Sequence, residues 1–555
     1  MKKIWLGSYP PGVPAEIDAR ACSSLVELLR RSCARFGDRI ALDSMGVEMT
    51  YGELDRLSRD FAAFLQRDAG VRRGERVAIM LPNLLQYPVA LFGALRCGAA
   101  VVNVNPLYTA AEVGRHLDDS GATAIVVLEN FAGTVERALA GSRLRTVVTT
   151  QVGDLYPPAR RWLTNAFVKH VKRLVPPWSI PGSVGWRGAL ARGARRQLDE
   201  AEPSPYDIAF LQYTGGTTGR PKGAILTHGN MVANVEQTVA WIGIRLREGE
   251  ETVITALPLY HAFALTANLL AFARLGGRNV LIANPRDLPR FVAELKRVRF
   301  TAMTGVNTLY NALLNTPGFS EVRAANGGAL KLAVAGGMAV QRVVAEGWQR
   351  AMGVPLVEGY GLTEAAPNVC ANPVDAGEFS GTMGLPLPST EVAILDDHGS
   401  EVTPGEPGEI CVRGPQVMRG YWNAPEETAA AFTADGWLRT GDIGRMDGRG
   451  HVHFVDRRKD VIVISGFKAY PTEIEDVIML HPGVRDAGVA AVPDDHSGEA
   501  VAAFIVRKDP DLTAAAVLEH CRGRLAGYKL PKRIEFREQL PKTPIGKVLR
   551  RELAR

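Results

Sequence analysis

Residues 76–106 read RVAIMLPNLLQYPVALFGALRCGAAVVNVNP. RVAIML (76–81) is an apolar run of strand length, PVALFGALRCGA is a helix-length apolar stretch, and VVNVNP (101–106) returns to β-branched residues before a proline stops it. Strand, buried helix and strand in succession predict a βαβ unit, and hence parallel pairing with helices on the sheet faces. Outward from there, AEVGRHLDDSG reads as helix and AIVVLE (124–129) as strand. The rhythm resumes in NVLIAN (279–284), FTAMTGV (300–306), LKLAVAGG (330–337) and VPLVEGYG (354–361). The expected fold is α/β, with a large N-terminal domain of mostly parallel sheets flanked by helices. Sheets of this kind bind ligands at the carboxyl ends of their strands.

From about 381 to 455 the texture changes to short β-like runs separated by Gly/Pro turns, as in EVAILDDHGSEVTPGEPGEICVRG, which predicts a meander or a small β-barrel-like part. A charged junction, Asp456-Arg457-Arg458-Lys459-Asp460, precedes a compact run of mixed helices and strands. The expected domains are therefore 1–455, a hinge linker at 456–461, and a small mobile α+β domain at 462–555.

Lys and Arg number 65 against 59 Asp and Glu, a net charge of +6 over 555 residues, too thin an excess to argue for a nucleic-acid partner. With 46% hydrophobic and 22% charged residues the chain is a folded globular one, which excludes intrinsic disorder. The six cysteines are scattered without a C-x-x-C pair, so neither a zinc site nor a disulfide framework is expected, and a reducing compartment fits. MKKIWLGSYPPGVPAE lacks the apolar run of an export signal. The expected location is cytoplasmic, not secreted. Thr252 to Ala273 carries no charge but contains Pro258, His261 and Asn268, and it reads as a buried strand followed by a core helix rather than a membrane span.

RRWLTNAFVKHVKRLV (160–175) sets Trp162, Leu163, Ala166, Phe167, Val171 and Leu174 on one helical face, with Arg160, Arg161, Lys169, Lys172 and Arg173 mostly elsewhere. Two readings stay open: peripheral contact with the inner face of a membrane, or a surface helix whose stripe packs on the core.

Tyr213-Thr-Gly-Gly-Thr-Thr-Gly-Arg-Pro-Lys-Gly223 carries the most chemistry. Glycines and small hydroxylated residues let backbone N–H groups and hydroxyls converge on phosphate oxygens, and Lys222 adds a cation. It is not a Walker A loop, because Gly223 follows Lys222 where Ser or Thr is required and the loop joins two strand-like runs, IAFLQY and GAILTH. A phosphate-binding loop of another type is the surviving reading.

This loop resembles the phosphate-binding signature of the acyl-adenylate-forming (AMP-binding) superfamily. Further stretches resemble that superfamily in the same order: Pro258-Leu-Tyr-His261, Gly336-Gly337, Glu358-Gly-Tyr-Gly-Leu-Thr-Glu364, Trp437-Leu-Arg-Thr-Gly-Asp442, Asp456-Arg-Arg-Lys-Asp460 and Pro541-Lys-Thr-Pro-Ile-Gly-Lys547. NLLQYPVALFGALR, NVNPLYT, TGVNTLYNALLN and GYKLPK extend the likeness to bacterial long-chain fatty acid–CoA ligases along nearly the whole chain.

The resemblance implies a division of labour. Thr214, Gly215, Gly216, Thr217, Thr218, Gly219 and Lys222 would hold the ATP phosphates, with Thr214 and Glu364 on the Mg²⁺ side. Gly336, Gly337, Glu358, Gly359, Tyr360, Gly361 and Thr363 would surround the nucleotide, with Gly359 and Tyr360 against the adenine. Asp442 would accept from the ribose hydroxyls, and Arg457 would reach the ribose or phosphate. His261 would sit beside the acyl pocket, Asp456 would mark the hinge, and Lys547 would serve adenylation. Gly466 would line the pantetheine path, where Lys468 stands in place of the Asn of many members. Lys529 and Lys532 are candidates for the CoA phosphates.

The activity so implied is ATP-dependent conversion of a long-chain fatty acid to acyl-AMP and then acyl-CoA, with ATP and CoA as cosubstrates and entry into β-oxidation as one destination. Three rivals stay open: an adenylating enzyme that loads a carrier protein, a ligase for medium-chain or aryl acids, and a lipid-binding module without catalysis. Oligomeric state is open, a homodimer included.

Overall fold

The computed structural model describes residues 3–214, 222–464, 467–494, 497–542 and 548–554. The chain divides into two compact units, one made of Tyr9–Glu391 and Arg413–Phe432, the other of Met1–Ser8, Val392–Val412 and Thr433–Arg555. Residues 456–461 thus fall inside the second unit.

The larger unit contains two extended sheets. The seven-stranded one runs Val184–Gly185, Thr146–Thr150, Ala124–Leu128, Arg76–Met80, Ala100–Asn103, Ile208–Thr214, Lys222–Thr227. Every pairing in it is parallel except the last, an antiparallel hairpin. The βαβ unit expected at 76–106 is present, its helix being Gln86–Arg96 with every residue buried. A helix apolar on all sides has no solvent face to spare. The nine-stranded sheet has a parallel centre that includes Thr252–Thr255, Ala302–Gly305, Leu332–Ala335 and Leu356–Gly361, and antiparallel strands at its ends. Beneath it Trp348 is fully buried with its ring centroid 4.6 Å from that of Tyr310 and 5.7 Å from that of Phe319. Truncating such a tryptophan costs about 3–5 kcal/mol.

The uncharged stretch after Thr252 is, as expected, a short strand followed by buried helical turns from Ala262 to Arg274. Among the described residues no helix is long and apolar enough to cross a membrane. All six cysteines are buried and unpaired.

The smaller unit holds a four-stranded sheet in consecutive order, the signature of a meander, ending in Leu438–Met446 and Val452–Arg457. Its other sheet is built on the long hairpin of Val484–Asp494 and Gly498–Arg507, with helices Pro471–Met479 and Ala514–Arg522 contributing Ile474, Ile478, Val517 and Cys521 to its core. Arg533–Arg537 adds a parallel strand to that sheet. In sequence it passes for a basic tail, because charged residues alternate with only Ile534 and Phe536.

The segment expected to be helical over 160–175 forms an α-helix at Pro158–Ala166 and a π-helical turn at Phe167–Val171, with no buried residue in either. The core-facing alternative for its apolar stripe is not what the structure has: Trp162, Leu163, Phe167, Val171 and Leu174 are exposed.

Candidate active site

Parallel neighbours end on the same side of a sheet, so three consecutive strands deliver their following loops to one place. Gly305 pairs with Ala335 and Ala335 with Glu358, which sets Gly336-Gly337 beside Glu358-Gly359-Tyr360-Gly361. Two glycines there are demanded by geometry. Gly337 has φ +77°, and a Cβ on Gly361 would lie 2.0 Å from the Pro367 carbonyl oxygen. The strand Leu356–Gly361 then turns antiparallel to Asn368–Ala371, with Tyr360 opposite Cys370 and a one-turn helix, Thr363–Ala365, between the two.

Glu358 is the electrostatic anomaly of this cluster. Burial pushes its carboxyl up to about 8, against the lowering influence of hydrogen bonds from the Val340 and Gly381 N–H groups and of the Arg342 charge. Its Oε2 is buried without a partner among the described residues. A carboxyl of this kind is protonated near neutrality and can donate as well as accept.

Thr214 ends its strand and Lys222 begins the next, and the two form the last pair of the ladder before the turn. Gly215, Gly216, Thr217, Thr218 and Gly219 lie outside the described residues, as do Gly466 and Lys547. Residues 418–422 lie along the Lys222–Thr227 strand: Ile225 N–H donates to the Gly420 carbonyl at 2.9 Å and Trp422 N–H to the Gly223 carbonyl at 2.8 Å. This brings the Tyr421 hydroxyl to Glu364, donating to Oε1 at 2.8 Å, while Lys222 Nζ sits 5.4 Å from the centroid of the same ring. Burial and the Glu364 charge both raise the Tyr421 pKa, so the phenol stays a donor. The phosphate-loop lysine and the expected metal-side carboxylate are therefore joined through one aromatic ring. Met418 N–H adds a 2.8 Å bond to the Glu364 carbonyl.

Glu364 and Thr214 are hard oxygen donors. Among the described residues no group of three or more His, Cys, Asp and Glu could hold a metal on its own. An ion held here would draw its remaining ligands from nucleotide oxygens and water, which is the habit of Mg²⁺. The residues fit that ion.

His261 follows Pro258-Leu-Tyr and begins the buried helical stretch, its Nδ1 accepting the Phe263 N–H at 3.4 Å. The residue reaches solvent yet is crowded by protein, which lowers its pKa. A buried polar network fixes this segment. Asn83 Nδ2 donates to the carbonyls of Thr255 and Leu257 at 3.0 and 2.9 Å, Tyr87 Oη to that of Leu259 at 2.8 Å, and Gln212 Nε2 to that of Tyr260 at 2.7 Å. Asn103 links Tyr87 to Gln212. None of these four was singled out from sequence. Their signal is polar residues inside otherwise apolar elements, and each must find a partner when buried.

In the smaller unit Asp442 and Arg457 are opposite each other on adjacent antiparallel strands, with Arg457 Nε 3.5 Å from Asp442 Oδ1. Glu409 anchors the strand that carries Asp442 by pairing with Arg439 at 2.8 Å and accepting the Gly441 N–H at 3.2 Å. Asp456 is fully buried. It accepts from Thr472 N–H at 2.6 Å and from Arg550 at 2.7 Å, and Arg550 also binds Glu475 at 2.6 Å. The expected hinge residue is thus fastened to the helix Pro471–Met479 and to the C-terminal tail. Lys529 pairs with Glu473 at 2.7 Å, Lys532 with Asp494 at 2.8 Å and Lys468 with Asp397 at 3.4 Å, so all three are engaged by carboxylates.

The AMP-binding enzyme family matches residues 29–422, and the AMP-binding enzyme C-terminal domain matches residues 473–547. The chain belongs to the AMP-binding enzyme family. Among family members, the long-chain-fatty-acid–CoA ligase of Escherichia coli O157:H7 is 53% identical over 553 residues, covering 100% of this chain and 98% of the relative. The ligase of the same description from Haemophilus influenzae is 49% identical over 556 residues, with the same coverage of 100% and 98%. The crystal structure of ATP-bound MatB from Rhodopseudomonas palustris superposes with a TM-score of 0.82 at 28% identity, over 95% of this chain and 98% of that one. As an AMP-binding enzyme, the chain has its Thr214–Lys222 ladder end, Glu364 and Tyr421 within the first matched region, and Glu473 within the second.

Proposed function

We propose that this enzyme converts long-chain fatty acids to acyl-CoA through an acyl-adenylate. The observation that carries the substrate class is the 53% identity, over the whole chain, to a ligase for long-chain fatty acids. The chemistry runs in two steps. A carboxylate oxygen attacks the α-phosphorus of ATP, the bond to the bridging oxygen breaks, and pyrophosphate departs. The CoA sulfur then attacks the acyl carbonyl, loses its proton, and the acyl–oxygen bond breaks to release AMP. Adenylation is needed because a free carboxylate has no leaving group better than oxide.

Glu364 and Thr214 would hold Mg²⁺, which would neutralise phosphate charge when bound. Lys222 and the turn that it follows would bind the phosphates. Tyr421 keeps Glu364 oriented. Glu358, neutral through burial, would offer a hydroxyl or a carbonyl oxygen to the nucleotide, while Asp442 and Arg457 would take the ribose. His261, its pKa lowered by its crowded surroundings, would border the acyl carboxylate. Lys547 would stabilise the charge developing at the α-phosphate, and Gly466 would line the route of the thiol. A hinge at 456–461 would let one site serve both steps. The contacts that Asp456 makes with Thr472 and Arg550 would exchange as that hinge turns. The product suits fatty-acid degradation, and the exposed apolar stripe at 162–174 supports peripheral contact with a membrane that supplies the substrate.

A coupled AMP-release assay over acids from acetate to oleate tests this reading. Turnover should rise steeply with chain length. Preference for benzoate-like or short acids would transfer the assignment to a sibling ligase, and formation of acyl-AMP and pyrophosphate with no AMP released on adding CoA would point to a carrier-protein loader.

A further inference from the structure

The helix Pro158–Ala166 and its π-helical extension bury no residue and leave their apolar stripe facing outward. Arg160 donates to the carbonyls of Met45 and Gly46, and Asn165 is locked between the Gly153 N–H and Gln151 Oε1, both at 2.8 Å. Outside, Trp162 is 69% and Val171 67% exposed, with Leu163, Phe167 and Leu174 beside them. An ordinary surface helix has the reverse polarity. Next to this stripe lies a cavity of about 290 Å³ lined by Arg161, Lys169, His170 and Arg187 together with Asp154 and Trp162. Asp154 accepts from the Gln151 N–H at 2.8 Å and the Thr150 hydroxyl at 3.0 Å, and Lys169 lies 4.0 Å from the Glu129 carboxylate, so the positive charge offered to a ligand rests chiefly on Arg161 and Arg187. Lys172 and Arg173 add charge outside it.

We propose that this cavity binds the phosphate of an anionic phospholipid headgroup while Trp162, Leu163, Phe167, Val171 and Leu174 enter the layer between headgroups and acyl chains. This rests on the bilayer contact put forward above and names the lipid that it selects. Charge complementarity favours the bilayer over a second copy of the chain: a two-fold contact through this patch would face its cations with themselves. Tryptophan flanked by Lys and Arg is the composition of an interfacial anchor. Each cation near an anionic leaflet raises affinity about fivefold, and two converging on one phosphate make the effect depend on position as well as charge.

The test is co-sedimentation of the full chain with phosphatidylcholine vesicles, with and without phosphatidylglycerol. The variants are a stripe pair (Trp162→Ser with Phe167→Ser), a cavity pair (Arg161→Gln with Arg187→Gln) and a charge-matched control (Lys172→Gln with Arg173→Gln), each checked for unchanged AMP release with a water-soluble acid. The parent chain should prefer vesicles with phosphatidylglycerol. The stripe pair should lose binding to both vesicle types. The cavity pair should lose the preference by tenfold or more, and the control by clearly less. Equal loss in cavity and control pairs would overturn the headgroup site and leave bilayer contact standing, whereas no binding by the parent chain would overturn both. Saturable binding of inorganic phosphate to the cavity that leaves vesicle binding and the phosphatidylglycerol preference unaltered would mark it as a free-anion site and overturn the lipid assignment.

Discussion

The Tyr421 hydroxyl donates a 2.8 Å hydrogen bond to Glu364 Oε1, joining a residue of the 418–422 segment to a carboxylate more than fifty positions earlier. The bond engages one oxygen of the carboxylate and restrains its orientation. Tyr421→Phe removes the donor and keeps the ring that Lys222 faces. A lost hydrogen bond to a charged group costs about 1.5–3 kcal/mol, so the Mg²⁺ concentration for half-maximal adenylation should rise on the order of tenfold or more, with less change in thermal stability. An unchanged Mg²⁺ dependence would remove Tyr421 from this role.

Glu358 predicts a pH dependence of stability. Its carboxyl is raised to about 8 in the folded chain from an ordinary 4.5. Between those values the folded state keeps a proton that the unfolded state releases, so the contribution of this group to stability falls as pH rises through that window and levels off above it. Glu358→Gln removes the titration. Urea midpoints of the variant should fall less than those of the parent chain from pH 5 to pH 8. Parallel curves would mean that Glu358 is ionised throughout.

Asp456 predicts a stability effect distinct from catalysis. It is fully buried against the Arg550 guanidinium at 2.7 Å. Asp456→Ala leaves that cation without one of its carboxylates, at a cost of about 3–5 kcal/mol. Thermal unfolding should show a lowered transition for the smaller unit, and a transition equal to that of the parent chain would contradict the buried-pair account.

Lys547 separates the two half-reactions. Lys547→Ala should slow acyl-AMP formation by on the order of 10²–10³, the size of one lost transition-state donor, and should largely spare thioester formation from supplied acyl-AMP. Equal losses in both steps would deny it the adenylation role.

Much of the fold was legible in sequence because parallel strands buried on both faces read as short apolar runs: 76–81, 124–129 and 300–306 all became strands. The two strands that flank the Thr214–Lys222 stretch were equally plain, since IAFLQY and GAILTH are apolar runs on either side of Gly- and Thr-rich sequence. Tyr421 was not, because its partner lies in another strand system and Gly-Tyr-Trp carries no local signal of a carboxylate nearby. Nor was the ionisation of Glu358, which depends on burial contributed by several distant segments. The helix near 160 shows the limit of periodicity, which gives an apolar face without saying whether that face turns to the core or to solvent.

The most direct measurement is single-turnover chemistry without CoA. With purified protein, magnesium, ATP and oleate, pyrophosphate should appear in step with enzyme-bound oleoyl-AMP, and added CoA should convert that adenylate to oleoyl-CoA and AMP. If ATP is left intact, or if pyrophosphate appears without any oleoyl-AMP, the account is wrong.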